Sequence, residues 1–167
     1  MADTSLLDDV DDSTPIGACL HSWHQLFLGE VGALERVLAD EVVLHSPVLF
    51  RPIHGKDTVL LYLTGAAMTF VGAAADGDGT DAPGSAASAD DEWDGRFRYV
   101  RVLTGERDAV LEFETTMDGK YVNGVDMITC DDDGSIVDFK VMVRPQQAVE
   151  AVRQMMSAAL DSLGGTG

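Results

Sequence analysis

The sequence predicts an α+β domain in which helices pack on one side of a curved antiparallel sheet, leaving a conical cavity between the layers. Three observations predict it. Segments with a helical repeat come first, strand-like segments follow in a block, and a last helical repeat closes the chain, an order foreign to alternating α/β folds. The strand-like runs succeed one another through short turns, as in a meander. The stretch Lys120 to Arg144, KYVNGVDMITCDDDGSIVDFKVMVR, sets two of these runs on either side of an acidic cluster closed by Gly134, which is a hairpin signal.

Residues 1–12 carry five aspartates and are expected to form a disordered acidic tail. From Ser13 the pattern becomes helical: Ser13 or Thr14 can cap, Pro15 suits the first turn, and Ile16, Cys19, Leu20, Trp23, Leu26 and Phe27 recur at helical spacing up to Gly29. A short helix is expected over Val31–Leu38, then a strand over Val42–Ser46 that stops at Pro47. After a loop to His54, Asp57 is a plausible N-cap for a helix running to Phe70. Residues 72–94, rich in Ala, Gly, Asp and Ser without periodicity, read as a mobile loop inside one domain spanning 13–160. Strands are then expected over Arg96–Leu103 and Ala109–Met117, with Asp118-Gly119 as the tight turn into the final hairpin. Pro145 ends the last strand, a terminal helix covers Gln146–Leu160, and 161–167 should fray.

Composition narrows the function classes. The 167 residues are 46% hydrophobic, enough for a real core. The net charge of −18, from 29 acidic against 11 basic residues, would repel a phosphate backbone, so no nucleic-acid partner is expected. No apolar run reaches the length of a membrane span and the acidic start lacks the character of a signal peptide, so neither a membrane partner nor export is expected, and a cytoplasmic location is the default. Cys19 and Cys130 each sit in an apolar pattern far apart in sequence and read as reduced thiols.

Side chains alternate along a strand, so Val122, Gly124, Asp126 and Ile128 share one face, and Asp126 is a lone carboxylate in an apolar row. If that face looks inward, Asp126 is either an acid whose pKa is raised by desolvation or a structural carboxylate bonded to Ser46, Tyr99 or a polar group of the first helix. With parity set by Asp126, the expected wall is Trp23, Phe27, Leu44, Ser46, Phe50, Leu60, Leu63, Phe97, Tyr99, Leu111, Phe113, Thr115, Met117, Val122, Phe139, Val141 and Val143. Such a wall suits a small hydrophobic ligand with one hydrogen-bonding end. His45 should point outward, His21 and His24 should sit on the polar face of the first helix without a third metal ligand, and Arg98 and Arg144 should pair across the sheet with Glu112, Glu114 or Asp138. No metal or cofactor is expected.

The segments ADEVVLHSPVLFRPIHGKDTVLLYL and VNGVDMITCDDDGSIVDFKVMV resemble the nuclear-transport-factor-2-like superfamily, which includes ketosteroid isomerases and SnoaL-like polyketide cyclases. The resemblance spans about Ser13 to Leu160 without the 72–94 loop. It implies a cystatin-like curved antiparallel sheet wrapped by three or four helices, and a homodimer formed through the outer face of the sheet. Set beside the isomerases, Asp126 falls at their oxyanion-hole aspartic acid, an acid kept protonated by an apolar site. Their general-base position is Ser46 here, and their tyrosine position is Ser22, beside Trp23 and His24. The Arg-x-Asp pair of limonene-epoxide-hydrolase-like members is also missing, since Arg96, Arg98 and Arg101 are followed two residues on by Arg98, Val100 and Leu103. The expectation is therefore a SnoaL-like protein holding a small hydrophobic molecule in a cone-shaped pocket, with weak acid/base chemistry at Asp126. The alternatives are a non-catalytic homodimeric interaction domain whose cavity is filled by its own side chains, and an isomerase or polyketide-cyclase-like enzyme with a non-standard site.

Overall fold

A six-stranded sheet, in the order β2-β1-β6-β5-β4-β3, carries the helices on its concave side. The computed structural model describes residues 2–30, 32–72 and 93–164. Helix α1 (Pro15–Phe27) starts on Thr14, whose side chain accepts from the Gly17 N–H at 3.1 Å, and gives way at Gly29, which takes φ +82°. Short α2 (Ala33–Val37) leads directly into β1 (Leu38–His45), so Leu38 opens a strand where the helical repeat was expected to continue. The expected loop before His54 contains a two-residue strand, β2 (Ile53–His54), paired antiparallel with Val43 and Leu44. Helix α3 (Lys56–Gly72) begins one residue early, leaving Asp57 in its first turn rather than at the cap.

The meander follows as β3 (Arg98–Thr104), β4 (Asp108–Met117), β5 (Lys120–Cys130) and β6 (Ile136–Arg144), all antiparallel. Asp118 and Gly119, at φ +49° and +67°, make the β4–β5 turn with the two positive φ values such hairpins need. Between β5 and β6, the Asp131 carboxylate accepts from the Asp133 and Ser135 N–H groups at 3.0 and 2.8 Å. The sheet is mixed rather than wholly antiparallel, because β1 reaches β6 through a long crossover and lies parallel to it. Pairing shifts at Tyr99/Arg101 and Thr129/Cys130 add local twist and bend to the sheet.

Helix α4 (Gln146–Gly164) runs past the expected end at Leu160, and packs on α3. Residues 165–167, like most of the loop expected at 72–94, lie outside the described residues. Trp93, at the end of that stretch, donates its Nε1–H to the Arg96 carbonyl at 3.0 Å. The core between the layers is built from Ile16, Leu20 and Trp23 on α1, Val59 on α3, Val152 on α4, and Leu111, Phe113, Ile128 and Phe139 on the sheet. Cys19 and Cys130 are buried free thiols, and burial pushes both above their usual range.

The N-terminal segment differs from expectation: it is an ordered strap. Asp3 bridges to the edge strand, donating its N–H to the Phe97 carbonyl at 2.8 Å and accepting from the Tyr99 N–H at 3.0 Å. A single 3₁₀ turn, Ser5–Leu7, inserts Leu7 into the core at 3% exposure. The strap then crosses α1 so closely that a Cβ on Gly17 would lie 1.8 Å from the Asp11 carbonyl oxygen. Leu7 and Val10 supply apolar anchorage that the five aspartates mask in composition.

Candidate functional site

Asp126 sits on the concave face of β5, opposite Leu111 on β4 and Val141 on β6. It is 6% exposed. Its Oδ2 accepts a hydrogen bond from the Tyr99 hydroxyl at 3.1 Å, and that hydroxyl accepts from the Trp23 Nε1–H at 3.0 Å. The Trp23 indole can only donate, so the tyrosine proton is committed to the carboxyl and the relay runs one way, Trp23 to Tyr99 to Asp126. Tyr99 lies two strands away from Asp126, about 10 Å at the usual strand spacing, and its long ring spans β4 to make the bond.

Burial pushes the Asp126 carboxyl from 3.8 up to about 7, against the downward pull of the tyrosine bond. The Tyr99 hydroxyl is raised well above its usual value, first by burial and then by the neighbouring carboxyl charge. Near neutrality the site therefore holds a neutral tyrosine and an acid poised between its two forms. When Asp126 is protonated, Oδ2 is taken as an acceptor and the remaining oxygen carries the one proton that can be offered to a ligand.

That carboxyl borders a cavity of about 60 Å³, room for a few waters but well below the roughly 150 Å³ of an apolar cavity that takes up benzene, so a ring-sized molecule would have to widen it or extend out of it. Helix α1 contributes Trp23, Leu26 and Phe27, and α3 contributes Leu63, Ala66 and Ala67. The sheet side supplies Phe97, Phe113, Phe139 and Val141. Among the described residues Asp126 is the only ionisable side chain in this lining. Phe27, Phe97 and Phe113 form a stacked series, with centroids 5.4 and 5.3 Å apart, and Trp23 leans on Phe139 at 5.0 Å.

Of the residues expected at the site, Trp23, Phe27, Phe113, Phe139 and Val141 come together around Asp126, as do Leu63 and Phe97. Tyr99 stands behind the carboxyl rather than in the wall. Thr115 and Met117 share the inward face of β4 but are wholly buried in the core, the Thr115 hydroxyl without a hydrogen-bond partner among the described residues. Val143 and Leu60 are half-buried against the core, and Leu44, Leu111 and Val122 are fully buried in it, all outside the cavity lining. Ser46 follows the end of β1 in a turn, where its Oγ accepts from the Val48 N–H at 3.4 Å. Phe50 is fully exposed, because the chain leaves the sheet after β1 and strand parity ceases to apply. Leu26, Ala66 and Ala67 were not in the expected wall, yet they lie three or four positions from Trp23 and Leu63 on the same helix faces.

The remaining candidates resolve into structural pairs. His45 Nε2 lies 3.0 Å from Asp138, on the side of β1 away from the core. His24 is buried rather than on a polar face, 3.1 Å from Asp8 of the strap. Arg98 pairs with Glu114 at 3.1 Å, while Arg144 donates to the Asn123 side chain instead of an acid. Among the described residues no group of three or more His, Cys, Asp or Glu could hold a metal, and no helix is long and apolar enough to cross a membrane.

Solved structures with this architecture carry the comparison further. A steroid delta-isomerase from Pseudomonas aeruginosa is 28% identical, with 95% of this chain and 98% of that one covered and a TM-score of 0.73. An uncharacterised bacterial protein with a cystatin-like fold from Silicibacter pomeroyi is 27% identical over 78% of this chain and 75% of its own, at 0.59. An NTF2-like protein of unknown function from Mesorhizobium loti is 21% identical over 81% and 95%, at 0.55. No family model matches the sequence, and no curated protein does. The fold is that of the nuclear-transport-factor-2-like superfamily: a curved sheet wrapped by helices into a cone.

Proposed function

We propose that this protein binds a small hydrophobic molecule carrying one hydrogen-bonding group, with the polar group against Asp126, the leading part of the apolar body in the cavity and the rest extending toward its mouth or widening it. One observation carries the reading: among the described residues, a buried carboxyl with no countercharge borders a void that is otherwise apolar and aromatic. Tyr99 gives Asp126 the one partner a buried polar group ordinarily has, and the carboxyl's other oxygen, with no hydrogen bond among the described residues, leaves capacity for a ligand. The neutral form of Asp126 supports recognition of an acceptor such as a carbonyl or phenolic oxygen, and its ionised form supports recognition of a donor. Titration with 2-naphthol and naphthalene, followed by tryptophan fluorescence, tests this. Asp126→Leu should weaken 2-naphthol about tenfold, the worth of one hydrogen bond near 1.4 kcal/mol, and leave naphthalene within about threefold. Equal losses for both compounds, or no binding of either by the unaltered protein, would refute the reading.

Steroid isomerisation is disfavoured despite the similarity to a steroid delta-isomerase. Moving a proton between two carbons needs a base as well as an acid. Ser46 lies outside the cavity, Ser22 spends its hydroxyl on the Ala18 carbonyl at 3.1 Å, and the Tyr99 hydroxyl bonded to Asp126 stands behind it rather than in the wall, so among the described residues Asp126 is the only proton-transfer group bordering the cavity. A β,γ-unsaturated ketone mixed with the protein should conjugate no faster than in buffer.

The outer face of the sheet supports a homodimer. Leu103, Met127 and Met142 are 57%, 37% and 55% exposed there, and the registers Leu103↔Val110↔Met127 and Val125↔Met142 place them in one patch. Arg98–Glu114 and Arg101–Glu112 balance charge on the same face, which favours a second copy of a chain that is otherwise strongly self-repelling. Sedimentation should give a dimer that Met142→Asp converts to a monomer; a monomeric parent protein would remove the idea.

A further inference from the structure

We infer that Gly124, through the ring of Phe113, sets the upper size limit of what the cavity admits; the inference rests on the ligand-binding reading above and adds to it the residue that selects for size. Gly124 lies on the same face of β5 as Asp126, one inward position before it, and directly opposite Phe113 on β4. The Phe113 ring lies across the glycine. A Cβ at position 124 would sit 2.2 Å from Phe113 Cζ and 2.7 Å from its Cε1, and 2.8 Å from the Met142 carbonyl oxygen on the other side. Glycine at this position is therefore a matter of room rather than of backbone freedom, for its φ is not among the positive values. The absent side chain is a recess into which the phenyl ring withdraws.

The recess matters because Phe113 is a wall residue. Its ring stacks on Phe97, and Phe97 on Phe27, so three of the aromatic surfaces around the void are referenced to the depth at which Phe113 rests. The Met142 carbonyl belongs to β6 and is held by the ladder, so it yields less than a side chain does. The displacement caused by a methyl at 124 falls chiefly on the phenyl ring. With the sheet behind it, the ring can only rise toward the helices, into the void next to Asp126. A larger side chain at 124 reduces the cavity without touching the acid, and a smaller one at 113 enlarges it.

Two independent readouts test this on the full chain. ¹²⁹Xe NMR titration reports the void without any polar recognition, since apolar cavities of adequate size take up xenon. Phenol and 2-naphthol report size selection at constant chemistry. Gly124→Ala should lower xenon affinity at least fivefold and weaken 2-naphthol more than tenfold while phenol changes less than threefold. Adding Phe113→Leu to Gly124→Ala should restore both signals. Phe113→Leu alone should raise xenon affinity, which tests the same geometry with the opposite sign should Gly124→Ala fold poorly. If xenon uptake is unchanged in Gly124→Ala and in Phe113→Leu, or the unaltered protein takes up no xenon, the inference is overturned. If xenon behaves as described but neither phenol nor 2-naphthol binds, the geometry stands and the ligand-binding reading is what fails. Equal weakening of phenol and 2-naphthol without rescue by Phe113→Leu would also overturn the size-selecting role.

Discussion

Two carboxylates on opposite faces of the same sheet are buried almost equally, Asp126 at 6% exposure and Glu114 at 8%, and they live in opposite surroundings. Glu114, on the outer face, receives the Arg98 guanidinium through two N–H groups at 3.1 and 3.3 Å and the Tyr121 hydroxyl at 2.5 Å, with the Trp93 ring stacked under Arg98 at 4.9 Å. Asp126, on the inner face, has among the described residues one neutral donor, an apolar wall and a void. Burial alone therefore does not mark a functional acid. The absence of a countercharge among the described residues together with adjacent empty space is what supports reading Asp126 as the ligand-facing acid, because the proton of such a group is left for something outside the protein to use.

The two acids should differ most visibly with pH. The folded-state value of about 7 for Asp126 lies above the ordinary 3.8, so the protonated acid favours the fold. Its contribution is complete below about pH 4 and is lost as pH rises through 7. A rise from 3.8 to about 7 corresponds to roughly 4 kcal/mol at most. Urea denaturation at a series of pH values should show Asp126→Asn gaining on the unaltered protein between pH 4 and 8 by up to that amount. A parallel pair of curves would show that burial does not hold the proton on Asp126.

Removing the countercharge tests the outer face. Arg98→Ala leaves Glu114 buried with Tyr121 alone, and chemical denaturation should show a loss of roughly 2–3 kcal/mol, the usual scale for hydrogen bonds to a charged group. Ligand binding should be unaffected within about twofold, since no part of that cluster lines the cavity.

A smaller effect is expected at the strap. Gly17→Ala gains up to about 1 kcal/mol of helix propensity, yet the new methyl meets the Asp11 carbonyl and should cost about 1–3 kcal/mol by overpacking. The net change should be a modest loss, with faster amide exchange at Asp3 and Tyr99, whose N–H groups tie the strap to the edge strand. A gain in stability with unchanged exchange would show that the strap is held only loosely.

Much of the fold was legible because it depends on periodicity. The alternation in β4, β5 and β6 set inward parity correctly, and the Thr14-Pro15 start, the Asp118-Gly119 turn and the Asp131–Gly134 turn carry their conformations in single residue types. The site was legible as far as parity reached: Asp126 with Phe113, Phe139 and Val141 on strands, and Trp23 and Phe27 on a helix. Parity failed at Ser46 and Phe50, where the chain leaves the sheet, and could not separate Thr115 and Met117, which share the face but lie beyond the void. Tyr99 was named among several partners for Asp126, but the Trp23 relay depends on how far α1 stands from β3, a distance that tertiary packing sets. The strap escaped because two anchoring side chains, Leu7 and Val10, were outweighed by neighbouring aspartates.

The most direct test is a ¹³C NMR titration of labelled aspartate carboxyls, with Asp126→Asn to assign the resonance, run with and without 2-naphthol. A midpoint near 7 is expected for Asp126 in the free protein, and a displaced midpoint when the probe is bound. A midpoint below about 5, or one that the bound probe leaves unmoved, would contradict the claim that this acid faces a ligand.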